Sequence, residues 1–460
     1  MLLLDPADSR PIHFVGIAGA GMSALAQLFV LRGVVVTGCD ANAANAPDLA
    51  SRGIDVIQGH GADHVTGCRA LVVTSAMPKN HPELVRAREL GMPVIRRAEA
   101  LGEVTRGTIL VGIAGTHGKS TTTVLATEAL AAAGLDPTGY VGARVTSWNG
   151  NLRAGSAERF VVEADEYDRS FLALTPAVAV VTNLEADHLD IYEGIADLRR
   201  TFADYISRAR YIVLCADDEE ANHLPTPASA EVIRYGITSP DARLRGTNLR
   251  REGLGTRFDV VFDGEMLGSV ALGVPGEHNV RNALGALAVG ICVGATVPAM
   301  APGIAAFHGV ERRFQFLGDA RGVMVVDDYA HHPTEVRATI QAAREAAPDR
   351  RLVVAFQPHL FSRTRDFARE FAEALVLADV VFLLDIYPAR EQPVDGVTSQ
   401  LVADQMSVLG KPPAWMGARA ALSQALVGIA TEGDLIVTMG AGDVTRSGAE
   451  LLAALQAAPA

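Results

Sequence analysis

The sequence predicts an α/β protein of three domains built on mainly parallel sheets, and three observations carry that expectation. Short apolar runs alternate with helix-like stretches along nearly the whole chain, and repeated β-α units place parallel strands side by side with helices on their faces. Two of the runs end in glycine-rich loops that open a helix, "GIAGAG" at residues 16–21 and "GTHGKST" at residues 115–121. A length of 460 residues allows two to four domains at roughly 100–200 residues each.

In the first region "HFVGI" reads as a strand, Ser23–Arg32 as a helix and "VVVTGCD" as a strand. "IDVIQG", "ALVVTSA" and "PVIRRA" follow as strands, with "HPELVRAREL" as a helix between the last two. A second alternating region opens at "TILVGIAG" and includes "RFVVEAD", "PAVAVVTNL", "YIVLCAD" and "EVIRYGI". From Arg243 to Val274 the pattern becomes hairpin-like and turns at Asp263–Gly264, a pair suited to a tight hairpin turn. A helix containing "HNVRNALGALAVGI" comes next. The third region, from near Gly309, holds the buried-strand candidates "VMVVDDYA", "RLVVAFQP", "VVFLLDI" and "DLIVTMGAG", with "DFAREFAEALVLA" as a helix. Boundaries near residues 106 and 309 give domains 1–106, 107–309 and 310–460.

Composition excludes several classes. A net charge of −13 argues against a nucleic-acid partner, which needs clustered Lys and Arg to neutralise phosphates. Anionic ligands must then be held by backbone N–H groups, single basic residues and metal ions. Cys39, Cys68, Cys215 and Cys292 are far apart with no C-x-x-C pair, so neither a disulfide framework nor a zinc site is expected. Free thiols suit a reducing compartment, and the apolar part of "MLLLDPADSR" is too short for a signal peptide; a cytoplasmic protein is expected. Ala283–Phe307 carries no charge and has the length of a membrane span. Its glycines, prolines and small apolar residues instead predict two short core helices joined near Thr296–Pro298.

The second glycine loop has the makings of a triphosphate cradle. Gly115 and Gly118 let backbone N–H groups turn inward, and the following helix adds its positive end. Lys119 can reach the β- and γ-phosphates, and Ser120 can offer a hydroxyl to Mg²⁺. Ile113 stands where the strict P-loop pattern has glycine, so the motif is a variant; its competitor is a glycine-rich turn with a surface lysine. Downstream, "VVEADEYD" puts Glu163, Asp165 and Glu166 past an apolar strand, and "VVTNLEADHLD" does so with Asn183, Asp187, His188 and Asp190. Ligands collect at such strand ends, and these hard donors suit Mg²⁺ bridging phosphates.

The first loop, with glycines at 16, 19 and 21, is G-x-x-G-x-G rather than the dinucleotide pattern G-x-G-x-x-G. Asp40 nonetheless lies about 20 residues on, where a ribose partner belongs. Taken alone, this region leaves an NAD site open.

Together, "GIAGAGMS", "GTHGKSTTT", "EADEYD", "TNLEADHLD", "GEHNVRNALGA", "GVERRF", "DDYAHHPTE", "FQPHLFSRTRDF" and "TMGAGD" resemble, in order and over nearly the whole chain, the Mur ligases of peptidoglycan precursor synthesis. The resemblance implies Rossmann-like first and third domains around a central P-loop ATPase-type domain with a mainly parallel sheet. It implies ATP-dependent formation of an acyl phosphate on a UDP-sugar carboxylate, attacked by an amine to give amide, ADP and phosphate. "DDYAHHPTE" with "FQPH…SRTR" looks like the branch that adds L-alanine to UDP-N-acetylmuramate; a relative that adds a preformed peptide in cell-wall recycling is the alternative.

By matching motif, the resemblance makes Gly115, Thr116, His117, Gly118, Lys119, Ser120 and Thr121 the ATP loop. Ser120 and Glu163 would hold a first Mg²⁺, and His188 with Glu163 a second. Asn279 and Asn282, on one helix face, would meet adenine, with helix capping as the competing role of Asn279. Arg313 would approach the γ-phosphate and Asp328 the ribose, and Arg337 is a further activity position. Tyr329, His331, His359 and Arg363 would surround L-alanine, an arginine forking onto its carboxylate. Gly16, Gly19, Gly21, Met22 and Ser23 would hold the UDP diphosphate, with Asp40 and Ser75 of the "TSA" stretch near ribose and uracil.

Two departures matter. Leu360 stands where many relatives have arginine, which touches selectivity for alanine over serine or glycine. The helix "ADLRRTFADYI" offers no lysine for carbamylation, in keeping with the alanine-adding branch. The expected partners are UDP-N-acetylmuramate, L-alanine and ATP, with no nucleic acid and no membrane span, in a monomer or homodimer.

Overall fold

The computed structural model describes residues 3–5, 7–45, 47–74, 77–187, 191–389 and 391–457. They form an α/β protein with three sheets. The first contains β1 (Ile12–Val15), β2 (Val36–Asp40), β3 (Asp55–Gln58), β4 (Ala70–Val73) and β5 (Val94–Arg96) in the order β3-β2-β1-β4-β5. All its pairings are parallel. Strand order reverses at β1, so the loop after it opens at the topological switch point where such sheets bind ligands.

The second sheet has ten strands: β6 (Ile109–Ala114), β7 (Pro137–Val145), β8 (Gly150–Arg153), β9 (Ser156–Glu163), β10 (Val178–Val181), β11 (Tyr211–Cys215), β12 (Glu231–Gly236), β13 (Leu244–Glu252), β14 (Gly255–Phe262) and β15 (Glu265–Leu272). Their order is β15-β14-β13-β12-β11-β10-β6-β9-β7-β8. β6 runs parallel to both β9 and β10, with Ile113 beside Glu163 and Ala114 beside Val181. The chain therefore leaves all three strands on one edge, which brings the loop at 115, the acidic stretch at 163 and the stretch at 182 together. Asp263 and Gly264, between β14 and β15, both have positive φ (48° and 86°), as the hairpin reading requires.

The third sheet holds β16 (Gln315–Ala320), β17 (Val323–Asp328), β18 (Arg351–Phe356), β19 (Val380–Leu384), β20 (Trp415–Gly417) and β21 (Asp434–Met439) in the order β16-β17-β21-β18-β19-β20. Among the described residues of this sheet, only the β16–β17 pairing is antiparallel. Asp328 and Phe356 both sit beside Met439, so the segments after β17 and β18 leave the same edge. The described chain divides into two compact units. The first carries the β1–β5 sheet and the glycine loops of both β1 and β6; the second carries the β16–β21 sheet.

Period decides how helices pack. In the helix Ile195–Ile206, Leu198, Phe202 and Tyr205 are buried while Arg199 and Arg200 are exposed, the i, i+4, i+7 spacing of a half-buried helix. Phe171 stacks on Tyr205 at 4.6 Å and meets Phe202 edge-on at 4.9 Å. The uncharged stretch 283–307 lies in the helices Glu277–Cys292 and Val297–Ala305. Gly303 sits against the Glu128 carbonyl, which a β-carbon would meet at 2.2 Å; that proximity explains the small residues there. Among the described residues no helix is long and apolar enough to cross a membrane.

Two helix boundaries are corrected, and two strands are added. The first helix spans Ala20–Leu31, starting three residues before Ser23. The helix expected over 366–378 is Ala368–Leu375, shorter at both ends, and a separate short helix, Phe361–Asp366, precedes it and ends where Phe367 leaves helical geometry (φ −123°, ψ 21°). β7 and β8 escaped notice because "PTGYVGARV" has neither apolar alternation nor a continuous apolar run.

Candidate active site

The loop between β6 and the helix Lys119–Ala132 is bent by two glycines at positive φ, Gly115 (136°) and Gly118 (81°). Neither tolerates a side chain: a β-carbon would lie 2.1 Å from Thr182 Oγ1 at Gly115 and 2.5 Å from Asn282 Oδ1 at Gly118. The loop is pinned from the β10 end. Asn183 accepts from His117 N (2.8 Å) and donates to His117 O (3.0 Å), while Thr182 Oγ1 donates to His117 O at 2.6 Å. Thr116 Oγ1 accepts from Glu185 N at 2.9 Å, and His117 Nε2 lies 3.5 Å from Glu185 Oε2. Thr121 is buried in the first helical turn.

Three groups converge at the helix start. Ser120 Oγ lies 3.0 Å from both Glu163 oxygens, and Gly142 N donates to Glu163 Oε2 at 2.7 Å. Lys119 Nζ donates to Gly115 O (2.6 Å), Thr116 O (3.1 Å) and Glu166 Oε1 (2.9 Å). Burial pushes the Glu166 carboxyl up to about 7 against the pull of Lys119. Burial opposes the Lys119 charge as well, but Glu166, Asp165 and Glu163 outweigh it and hold the ammonium above its ordinary range. Serine hydroxyl and carboxylate oxygens side by side at a helix N-terminus are the hard donors a magnesium–phosphate complex takes. Thr122 Oγ1 donates to Asn282 Oδ1 at 3.2 Å, so Asn282 packs against the loop. Asn279 Nδ2 donates to Pro275 O at 2.7 Å within its own helix start.

The loop after β1 is built differently. Gly16 (φ 71°) turns the chain, and Gly16 N and Ile17 N donate to Cys39 O at 2.8 and 3.1 Å. Asp40 accepts from Ala18 N (3.0 Å) and Asn42 N (2.8 Å), so it shapes this loop. Gly19 caps the helix, its carbonyl accepting from Met22 N and Ser23 N at 2.9 and 2.8 Å. The Ser23 hydroxyl donates to Ala20 O at 3.0 Å, and the Met22 side chain is buried.

Sequence reasoning missed what joins the two loops. Tyr140 OH donates to Gly21 O at 2.7 Å, Arg97 donates to Tyr140 OH at 3.2 Å, and Arg97 pairs with Asp165 at 3.5 Å. Gly21 is tight for this reason: a β-carbon there would lie 2.7 Å from the Arg97 guanidinium. A cleft beside this link is lined by Thr74, Arg96, Arg97, Asp168 and Arg169. Asp168 and Arg169 both hold positive φ (54°), strained geometry of the kind that collects at functional sites. No motif marks Tyr140 or Arg97; the one available signal is the unusual pair of Arg96 and Arg97 at the end of an apolar strand.

In the second unit, Asp328 closes β17 and accepts from Phe314 N and Ala330 N, both at 2.7 Å. Burial pushes its carboxyl up to about 6, with Arg313 opposing. Arg313 reaches Glu335 at 3.4 Å and lies over the Tyr329 ring at 5.2 Å. His331 meets Tyr329 and His359 edge-on at 5.1 and 5.7 Å, and its Nδ1 lies 3.1 Å from Glu335. Tyr329, His331 and His359 are thus brought together. Arg363 is buried on the helix Phe361–Asp366, whose cap is Leu360, at φ 71° and with N–H to Tyr387 O at 3.0 Å. Arg337 is half-buried on the helix Pro333–Ala346. His188, Asp190 and Ser75 lie outside the described residues.

Comparison with known proteins follows the same three-part organisation. Residues 11–108 match the Mur ligase family, catalytic domain; residues 113–290 the Mur ligase middle domain; and residues 312–442 the Mur ligase, glutamate ligase domain. The chain is 43% identical over 444 residues to UDP-N-acetylmuramate–L-alanine ligase of Salinibacter ruber, covering 95% of this chain and 93% of that one. It is 41% identical to the protein of that name from Geobacter sulfurreducens, covering 97% and 98%. Among solved structures it resembles UDP-N-acetylmuramate-alanine ligase MurC of Thermotoga maritima (28% identity, 97% and 99% covered, TM-score 0.83). It also resembles a murein peptide ligase of Psychrobacter arcticus (25% identity, 98% and 100% covered, TM-score 0.70). With all three family domains matched in order and relatives above 40% identity over nearly its full length, the chain belongs to the Mur ligase family.

Proposed function

We propose that this chain is an ATP-dependent ligase that joins L-alanine to the lactyl carboxylate of UDP-N-acetylmuramate in peptidoglycan precursor synthesis, releasing ADP and phosphate. The observation that carries the chemistry is the Ser120 hydroxyl 3.0 Å from both oxygens of Glu163, one residue from the loop lysine. The identity to L-alanine ligases across nearly the full chain supports the choice of substrates.

Phosphoryl transfer asks a protein mainly for positioning and charge stabilisation. Lys119 holds the β- and γ-phosphates, and the loop from Gly115 to Thr121 wraps them with backbone N–H groups. Ser120 and Glu163 fit Mg²⁺, which when bound neutralises charge on the phosphoryl oxygens; a second ion with His188 and Glu163 is part of this reading. Asn279 and Asn282 would take the adenine, Asp328 the ribose, and Arg313 the γ-phosphate. Tyr329, His331, His359 and Arg363 would seat alanine, with Arg337 supporting turnover. The loop from Gly16 to Ser23 would hold the UDP diphosphate with Asp40 and Ser75 nearby. Domains 1–106, 107–309 and 310–460 would carry UDP-sugar, ATP and amino acid respectively, in a cytoplasmic monomer or homodimer.

The peptide-adding alternative shares the first substrate but is not favoured by the relatives above. Phosphate release coupled to each amine tests the choice: alanine-dependent release is expected, and release with a tripeptide but not with alanine would refute it.

A further inference from the structure

The most unusual chemistry outside the nucleotide loops lies on the other face of the first sheet. His13 on β1, Cys39 on β2, His64 in the turn after β3 and Glu83 at the start of the helix Pro82–Glu89 bring one donor atom each within 4.8 Å of one another. His60 and His81 join the same carboxylate: their Nδ1 atoms lie 3.7 and 3.5 Å from Glu83 Oε2. Cysteine spacing gave no hint of this, because the four donors come from four separate segments.

The cluster is mostly buried, and its polar atoms are incompletely satisfied. Glu83 and His13 are fully buried. Glu83 Oε1 accepts from the Cys39 thiol (3.0 Å) and Gly61 N (3.0 Å) and lies 2.9 Å from His64 Nδ1. Among the described residues its other oxygen, His13 Nε2 and His81 Nδ1 have no hydrogen-bond partner. An unsatisfied buried carboxylate oxygen and imidazole nitrogen are costly, and a cation ligated by both would offset that cost. His13 Nδ1 is engaged with Thr37 Oγ1 at 3.0 Å, which fixes the ring and leaves Nε2 for the cluster, the arrangement of a metal-ligating histidine. Burial keeps this ring neutral, with its pKa pushed down to about 4.

We propose that His13, Cys39, His64 and Glu83 form a closed binding site for a borderline divalent cation, Zn²⁺ in the first instance. Two imidazoles, a thiolate and a carboxylate are a zinc donor set, and four protein ligands make a structural rather than a catalytic site. With bonds of about 2.0–2.3 Å, tetrahedral ligand atoms lie roughly 3.3–3.8 Å apart, so the donors need only small adjustments. Binding expels the Cys39 thiol proton to solvent and moves the His64 proton to its outer nitrogen. The dication, thiolate and carboxylate then sum to zero, which suits a buried position. The Cys39 carbonyl holds Gly16 N and Ile17 N, so the site braces the first glycine loop from beneath.

The test uses the full-length protein, stripped with a chelator and kept in excess Mg²⁺ so that the ATP loop does not take the probe. Zn²⁺ is titrated against a chromophoric chelator, and Co²⁺ is used for spectroscopy. One zinc per chain is expected, with tetrahedral cobalt bands and a thiolate-to-cobalt charge-transfer band. Cys39→Ser should remove that band, and His64→Gln should weaken zinc binding at least 100-fold. Absence of zinc binding in the unaltered protein, cobalt bands without a thiolate contribution, or unchanged binding in a folded His64→Gln protein would each overturn the proposal and leave a hydrogen-bonded network only. If Cys39→Ser does not fold, the unaltered protein's cobalt spectrum still decides.

Discussion

Lys119 Nζ stands 2.9 Å from Glu166 and donates to the carbonyls of Gly115 and Thr116. The loop lysine is therefore already fixed at the mouth of the loop, by a carboxylate that Tyr192 anchors through the Glu166 carbonyl at 2.6 Å. Positioning of this kind lets a single ammonium act on phosphoryl oxygens without first being ordered. Lys119→Ala should abolish turnover, lowering kcat by 1,000-fold or more, while UDP-sugar affinity measured by calorimetry stays within about threefold, because the two loops lie on different sheets. A large loss of UDP-sugar affinity would contradict the division of labour.

Ser120 and Glu163 form the proposed magnesium pair. Ser120→Ala and Glu163→Gln should each raise the Mg²⁺ concentration needed for half-maximal activity, the glutamate change more, because it removes the negative charge and replaces one carboxylate oxygen by an amide nitrogen. Activity titrations over Mg²⁺ at fixed ATP check this; an unchanged magnesium dependence in Glu163→Gln would remove the pair from the site.

The link from Gly21 through Tyr140 and Arg97 to Asp165 ties the loop after β1 to the acidic stretch. Tyr140→Phe removes the hydroxyl that joins Gly21 O to Arg97 and should cost about 1–2 kcal/mol of stability. Gly21→Ala pushes on the Arg97 guanidinium, the mobile end of a long side chain, so the protein should fold. Its KM for UDP-sugar should rise about tenfold with the KM for ATP little changed, and steady-state kinetics distinguish the two.

Asp328 gives a pH signature of definite sign. Its folded-state pKa is raised from 3.8 to about 6 by burial, so between those values the folded protein holds a proton that the unfolded chain has lost. Stability from this group is complete at the acid end and declines as pH rises through about 6, by up to about 3 kcal/mol. Asp328→Asn has no such proton to lose. Its stability relative to the unaltered protein should therefore improve as pH rises from about 4 to about 7, read from paired melting curves; a pH-independent difference would contradict the burial of an ionising carboxyl.

Much of this site was legible in the sequence because strand ends and glycine loops leave local marks. "GTHGKST" and "EADEYD" each follow an apolar run, and parallel pairing of β6 with β9 brings Ser120 to Glu163. The hairpin turn at Asp263–Gly264 was equally local. Tyr140 and Arg97 were invisible because their role is set by packing between segments 43 residues apart. The His13–Cys39–His64–Glu83 cluster was hidden for the same reason: no two of its members share a spacing that a metal motif would show. Leu360 was noticed as a departure, and the fold adds a backbone reason to its position. It caps the helix Phe361–Asp366 at φ 71° with its carbonyl accepting from Thr364 N and Oγ1, and its buried side chain offers no charge to an amino-acid carboxylate.

Arg363 is proposed to hold the carboxylate of alanine. Arg363 is the buried guanidinium on the helix that follows β18, so Arg363→Ala should raise the KM for alanine at least tenfold and leave the KM for ATP within about threefold. Equal loss for all substrates would indicate a structural role instead.

The central claim is the identity of the accepting amine. With UDP-N-acetylmuramate, ATP and Mg²⁺ present, phosphate release should depend on L-alanine and yield UDP-N-acetylmuramoyl-L-alanine by mass spectrometry. Release that requires L-alanyl-γ-D-glutamyl-meso-diaminopimelate and ignores alanine would contradict it.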